Sequence, residues 1–320
     1  MKNYHYKLQP YSGMASRFIC PACGAAHKFV RYIDTSTGQY VNEKVGRCER
    51  SESCGYHYTP REYFRDLRRL GIEPPPSSAC QSAPVIKSDT FSVIPAELII
   101  GSALASQPEQ TALLKFFVSH LHLTSAQLKW LIDTYCLQSA SYGRIVFPQI
   151  DASGNYRTAK IMAYNPTTGH RMKDRPGAFN WLHRTLITSG KLPADFRLRQ
   201  CLFGEHLLPS HPLKPVGIVE SEKTALICAL TYPKLLWLAT GGKYNFTPDR
   251  FMPLAGRIIN AIPDAGSYRF WAVKAKAITR LVRCQLHVSD CIERVATLEQ
   301  HQAGIDIADL ILAGRPPQFF

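Results

Sequence analysis

Between residues 216 and 266, short apolar runs alternate with helical patterns, and each apolar run stops on residues of distinctive chemistry. Val216–Val219 ends in Glu220, and a helical pattern carried by Ala225, Leu226, Ala229 and Leu230 starts within a few residues. Residues 235–239 end in Thr240-Gly241-Gly242, and residues 257–262 end in Pro263-Asp264-Ala265-Gly266. Strands alternating with helices predict a parallel sheet, because parallel neighbours need a crossover between them. Ligands of such sheets sit outside the carboxyl ends of the strands, so Glu220 and Asp264 are expected to meet at one edge. Further on, residues 268–283 form an amphipathic pattern with a basic face (Arg269, Lys274, Lys276, Arg280, Arg283). Gln285–Val288 reads as a fourth strand and residues 305–312 as a closing helix. The expected class is α/β, a parallel sheet flanked by helices.

Upstream, Cys20-Pro21-Ala22-Cys23-Gly24 on one side and Cys48 with Cys54-Gly55 on the other enclose an alternating segment at residues 27–34. A turn at Thr37-Gly38 and a second strand-like run at residues 39–45 follow it. Two cysteine pairs around a hairpin are the layout of a zinc ribbon, where four thiolates complete a tetrahedral site. Ten cysteines in a chain without a signal-peptide pattern favour metal or buried thiols over disulfides. Cys20, Cys23, Cys48 and Cys54 are therefore the expected ligands of a structural Zn²⁺. Five residues separate Cys48 from Cys54, which makes His57 an alternative ligand. Residues 1–16 read as a partly ordered arm.

Thr59-Pro60 opens a helix expected to run to Leu70, basic through Arg61, Arg65, Arg68 and Arg69. Residues 71–90, with Pro74-Pro75-Pro76, read as a linker that tethers the module of residues 1–70 to the rest. Residues 91–205 are expected to form a basic α+β segment, and residues 206–320 the α/β domain. In the middle segment Leu113, Leu114, Phe116, Phe117 and Leu121, then Leu128, Trp130, Leu131 and Tyr135, recur at helical spacing and read as core. Arg144–Ile150 and residues 156–164 read as two strands around a turn at residues 151–155.

The net charge is +14 and it is unevenly spread: residues 1–72 hold 12 Lys/Arg against 6 Asp/Glu, and residues 140–200 hold 10 against 3. Positive charge gathered in this way suits a polyphosphate partner, nucleic acid before anionic membrane, with plain solubility as the alternative. The expected nucleic-acid contacts are Arg47, Arg144, Arg157, Lys160, Arg171 and Lys173, all on or beside strands of the two basic segments. No run approaches the ~18 to 20 apolar residues of a membrane span. A cytoplasmic protein with no membrane partner is expected.

Carboxylates at the ends of neighbouring strands can hold Mg²⁺ or Mn²⁺ by one or two oxygens and leave room for water and substrate phosphate. Lys223, one turn into the helix after Glu220, could meet the same phosphate as a point charge, helped by the field of the helix amino terminus. Glu220 and Lys223 are the expected catalytic residues, and Glu220 and Asp264 the expected magnesium ligands.

The ribbon, the basic strand pair from Arg144, and Val219-Glu220-Ser221-Glu222-Lys223-Thr224-Ala225 followed by Pro263-Asp264 resemble the bacterial-type DNA primases, whose core contains a toprim fold. More closely, most of the chain resembles an uncharacterised primase-like family of mobile genetic elements. The resemblance implies a toprim glutamate at Glu220, the first metal-binding aspartate at Asp264, and a ribbon that reads single-stranded DNA template. It implies primer synthesis from nucleotides. Two positions depart from the pattern: Ser221 stands where glycine is usual, and Gly266 where a second aspartate is expected, with Asp290 a replacement. A DNA-binding module without catalysis is the alternative reading, and a toprim nuclease a further one. The chain has no Gly-x-x-x-x-Gly-Lys-Ser/Thr loop, so a helicase would be a separate partner.

Overall fold

A computed structural model describes residues 5–11, 13–50, 54–69, 91–100, 104–105, 107–172 and 177–318. The chain divides into two units, Met1–Lys87 and Ser88–Phe320. The expected linker at 71–90 lies outside the described residues, as do Lys173 and Arg175.

The first unit is an antiparallel sheet of β1 (Tyr6–Leu8), β2 (Phe29–Asp34), β3 (Gly46–Cys48) and β4 (His57–Tyr58), in that order, followed by α1 (Pro60–Arg69). The expected arm is partly a strand: Tyr6 pairs with Asp34 and Leu8 with Tyr32 at the sheet edge. The expected second hairpin strand at residues 39–45 is displaced to Gly46–Cys48, and residues 39–45 meet β2 only at points, a bridge between Tyr40 and Ile33 and backbone bonds from Asp34 N–H to Gln39, Val41 N–H to Tyr32 and Tyr32 N–H to Val45. Asn42 causes the displacement. Its side chain accepts from the Lys44 N–H at 2.9 Å, and its carbonyl from Val45 N–H at 3.2 Å, a local turn that competes with the ladder. Thr59 and Glu62 form a reciprocal cap at the start of α1, with the Thr59 N–H donating to Glu62 at 2.9 Å and Glu62 N–H to the Thr59 hydroxyl at 3.3 Å.

The second unit opens with α2 (Ala96–Ile100), β5 (Leu104–Ala105), α3 (Ala112–Leu121), α4 (Ser125–Thr134) and β6 (Gln138–Ala140). The expected basic hairpin follows as β7 (Arg144–Ile150) and β8 (Tyr156–Met162), then β9 (Phe179–Trp181) and α5 (Leu182–Thr188). Strands β5 to β9 make one antiparallel sheet in sequence order. Thr111 and Thr124 cap α3 and α4, and the Gln127 side chain completes a capping box on α4.

The remainder is β10 (Val216–Val219), α6 (Glu222–Thr231), β11 (Leu236–Ala239), α7 (Pro248–Phe251), β12 (Ile258–Ala261), α8 (Tyr268–Ile278), β13 (Gln285–Val288), α9 (Cys291–Val295), α10 (Leu298–Ala303) and α11 (Ile307–Leu312). Strands β10 to β13 pair in parallel in the order β11-β10-β12-β13, the α/β sheet expected from the sequence. The basic helix at 268–283 is α8 plus one π-helical turn, Thr279–Arg283.

Strand alternation divides this sheet's two faces between two cores. Val219, Trp237 and Ala239 pack with α6, α11, the Phe116 and Phe117 rings of α3 and Tyr135 just after α4, whereas Trp130, expected in the core, faces solvent on α4. Val216, Ile218, Leu236, Leu238, Ile259 and Ala261 pack with Phe251 of α7 and Trp271 and Ile278 of α8. Central strands covered on both faces read as unbroken apolar runs, which is why these were visible in the sequence. Each fully buried large apolar side chain contributes roughly 1.5–3 kcal/mol. Gly217 is fixed by this packing, because a Cβ there would lie 2.5 Å from the Trp237 ring. The expected boundary near residue 205 carries no structural break. Phe147, Phe203, Tyr135 and Trp237 share one core, and the Tyr135 hydroxyl donates to the Trp237 carbonyl at 3.0 Å.

Candidate functional site

In the first unit, the cysteines of two knuckles converge. Cys20 Sγ lies 3.7 Å from Cys54 Sγ and Cys23 Sγ 4.0 Å from Cys48 Sγ, and all four sulfurs fall within 4.8 Å of one another. Four thiolates at ~2.3 Å from a tetrahedral zinc would stand about 3.8 Å apart, so the cluster has the donor set and the size of a structural zinc site. Gly24 and Gly55 adopt left-handed backbone at φ 69° and 66°, letting the chain fold back at each knuckle. His57 is not a ligand, since its Nε2 is bonded to the Tyr32 hydroxyl at 3.0 Å and its ring lies outside the sulfur cluster.

In the second unit, β10 and β12 are hydrogen-bonded neighbours, and the chain leaves β10 toward one face through α6 and β12 toward the other through α8. The sheet's topological switch point therefore lies between them, where α/β sheets bind ligands. Glu220 and Asp264 follow these two strands directly. Glu220 is 8% exposed, and its Oε1 and the Asp264 Oδ1 are buried with no hydrogen-bond partner. Burial pushes the Glu220 carboxyl above its usual range, against the opposing pull of the Ser267 hydroxyl and the Lys243 charge. Burial pushes Asp264 well upward too, reinforced by the negative charges of Glu220 and Asp306. Two buried carboxylates each left with a free oxygen fit a divalent cation, which would replace mutual repulsion by shared attraction. Among the described residues, only the four cysteines form a group of three or more donors tight enough for a metal. A cation here would thus take two carboxylate ligands and complete its shell with water and phosphate, as Mg²⁺ commonly does.

The residues that depart from the primase pattern have clear structural roles. Ser221 caps α6, its hydroxyl accepting from Thr224 N–H at 3.1 Å. Gly266 sits at φ 77°, its N–H donating to Glu293 at 2.9 Å and its carbonyl accepting from Lys243 Nζ at 3.0 Å. Asp290 does not join the pair, because it binds Arg294 at 3.2 Å on α9. The third carboxylate whose charge acts on both Glu220 and Asp264 is Asp306, which the sequence reading missed. Asp306 caps α11, is 9% exposed and accepts from the Thr224 hydroxyl. The capping pattern Asp306-x-x-Asp309 ahead of an apolar run was the available signal. Lys223, 9% exposed on α6, lies where its charge favours ionised Asp306.

The expected nucleic-acid contacts are scattered in role. Lys160 is buried and holds Glu222 through both carboxylate oxygens at 2.9 and 3.0 Å and the Gly241 carbonyl at 3.2 Å. That places it inside the joint between the two sheets, not on a face. Arg157 pairs with Asp151 at 2.7 Å, and Arg144 donates to the Gly177 carbonyl at 3.0 Å. Arg47 and Arg171 are exposed. A cavity of about 550 Å³ opens among Lys160, Arg171, Phe179, Trp181 and Gly241. No described helix is long and apolar enough to cross a membrane.

The zinc beta-ribbon finger family matches residues 4–69, and a family described as a domain of unknown function (DUF6371) matches residues 111–265. No curated protein matches the chain. Among solved structures, the primase fragment of the bacteriophage T7 primase-helicase protein aligns at a TM-score of 0.39 and 15% identity, covering 93% of this chain and 95% of that one. The RNA polymerase domain of Mycobacterium tuberculosis primase aligns at 0.36 and 11%, covering 65% and 77%. The zinc-binding and RNA polymerase domains of Aquifex aeolicus primase align at 0.30 and 12%, covering 88% and 73%.

Proposed function

We propose that this chain is a DNA-binding, primase-like protein of a mobile genetic element that joins ribonucleotides on a single-stranded DNA template. The observation that carries the reading is the buried pair Glu220 and Asp264 at the switch point, each with an oxygen lacking a partner. Bound there, Mg²⁺ or Mn²⁺ would polarise a phosphate and stabilise charge on attacking and leaving oxygens. Glu220 and Asp264 would hold it, the α6 amino terminus behind Ser221 favours a phosphate, and the Lys223 charge offsets part of the burial that pushes Asp306 upward. The four-cysteine module is a structural zinc site that supports template binding. Positive charge in residues 1–72 and 140–200 supports a nucleic-acid partner, with Arg47 and Arg171 exposed to meet phosphates. A separate helicase is the natural source of unwound template.

The second reading, a DNA-binding module without catalysis, is favoured by one feature: Gly266 offers no carboxylate where a second aspartate is expected. Template-directed ribonucleotide incorporation on single-stranded DNA with Mg²⁺ or Mn²⁺ decides between them. Incorporation by the wild type that is lost in both Glu220→Gln and Asp264→Asn supports the enzyme. Salt-sensitive DNA binding without incorporation supports the module. Absence of both rejects nucleic-acid function altogether.

A further inference from the structure

The turn at Lys243–Asn245 and the start of α8 carry a feature that this reading leaves unused. Tyr244 is 54% exposed, and its ring meets Phe270 edge-on, centroids 5.4 Å apart at 77°. Phe270 is half-buried on the core under α8. Two ammonium groups flank it, Lys243 at 5.9 Å and Lys274 at 5.7 Å from the ring centroid. The turn is held rigidly: Trp271 Nε1 donates to the Lys243 carbonyl at 3.1 Å, and fully buried Trp271 stacks on Phe246 at 4.1 Å. Lys243 also ties the turn to Gly266, two residues past Asp264, and its charge reaches Glu220. From 265 to 289 the chain contains Arg269, Lys274, Lys276, Arg280 and Arg283 and no Asp or Glu, and all five cations are exposed.

A single strand offers what this surface lacks. Its bases have free π faces for an anchored aromatic ring, and the phosphates between them pair with nearby cations. A duplex stacks its bases internally and offers mainly phosphates and groove edges.

We propose that Tyr244, braced by Phe270 and flanked by Lys243 and Lys274, is a base-stacking platform that holds one nucleotide of a single strand beside the Glu220 and Asp264 carboxylates. The placement rests on the nucleic-acid reading above, but not on catalysis. Fluorescence anisotropy of the full chain with a short labelled oligodeoxythymidylate, and with a duplex of equal length, tests it. Tyr244→Ala is expected to weaken single-strand binding roughly five- to a hundredfold, to leave duplex binding unchanged, and to be rescued by Tyr244→Phe. Lys274→Gln is expected to lower the single-strand salt slope by about 0.7, one phosphate contact. Tyr244 faces solvent, so its variants should fold.

Unchanged oligomer affinity in Tyr244→Ala, or equal losses for single strand and duplex, overturns the platform. If the wild type incorporates ribonucleotides while Tyr244→Ala binds the oligomer normally, the platform falls and the primase reading stands. If Tyr244→Ala loses affinity while nothing incorporates, the platform stands and catalysis falls. A wild type that binds no oligomer overturns both.

Discussion

Lys160 of β8 and Glu222 in the first turn of α6 form a buried ion pair, with Nζ 2.9 and 3.0 Å from the two carboxylate oxygens and side chains 8% and 2% exposed. The pair joins the antiparallel sheet to the helix that follows Glu220, and Lys160 also fixes the Gly241 carbonyl at the end of β11.

Removing one partner of that pair strands a charge in the interior. Lys160→Met and Glu222→Leu are each expected to destabilise the second unit, by roughly 3–5 kcal/mol for a variant that leaves a buried charge unpaired. The double variant Lys160→Met/Glu222→Leu should recover much of the loss, since packed apolar side chains replace both desolvated charges. Urea unfolding of all variants measures the coupling; strictly additive losses would show that the pair does not act as a unit.

Zinc removal should act on the first unit alone. Purified protein is expected to contain one zinc, and chelation should expose Cys20, Cys23, Cys48 and Cys54 to thiol reagents while melting β2 to β4. Cys20→Ser should abolish stoichiometric binding, whereas His57→Ala should retain the metal, because His57 is bonded to Tyr32 outside the cluster. Metal analysis of the two variants checks this, and zinc loss in His57→Ala would contradict the geometry.

The carboxylate pair should cost stability in the absence of a cation. Glu220→Gln and Asp264→Asn each remove a carboxyl whose charged form burial disfavours, and each should raise the melting temperature in chelator, roughly 2–4 °C per kcal/mol gained. Mg²⁺ should raise the melting temperature of the wild type and leave both variants almost unmoved, as ligand linkage requires. A cation effect preserved in Asp264→Asn would place the cation elsewhere.

Glu205 gives a pH dependence of its own. It is 3% exposed and accepts N–H bonds from Leu202 and Ala152, yet burial raises its carboxyl from 4.5 to about 7. Over that interval the folded state holds the proton that the unfolded state has released, so stability falls as pH rises. The contribution is fully present below about pH 4.5 and is lost as pH climbs through about 7, on the order of 3 kcal/mol. Glu205→Gln should flatten this part of the profile, read from urea midpoints at about pH 5 and about pH 8.

What the sequence determined by itself was the set of elements whose signals are local. Unbroken apolar runs marked β10 and β11 because both faces of the sheet are covered there, and knuckle glycines beside paired cysteines marked the zinc site. Glu220 and Asp264 were legible because each directly follows a strand. The tertiary structure alone decided which distant residues act on them. Asp306 arrives from a helix cap 42 residues beyond Asp264 in the numbering, whereas Asp290, closer in sequence, forms an exposed pair with Arg294. Lys160 looked like a surface cation on a basic strand, but its strand faces α6, and pairing with Glu222 62 residues away buried it. Periodicity reports which face of an element is apolar, whereas the partner of a charge depends on which faces meet, and that is set only when the two sheets close on a common core.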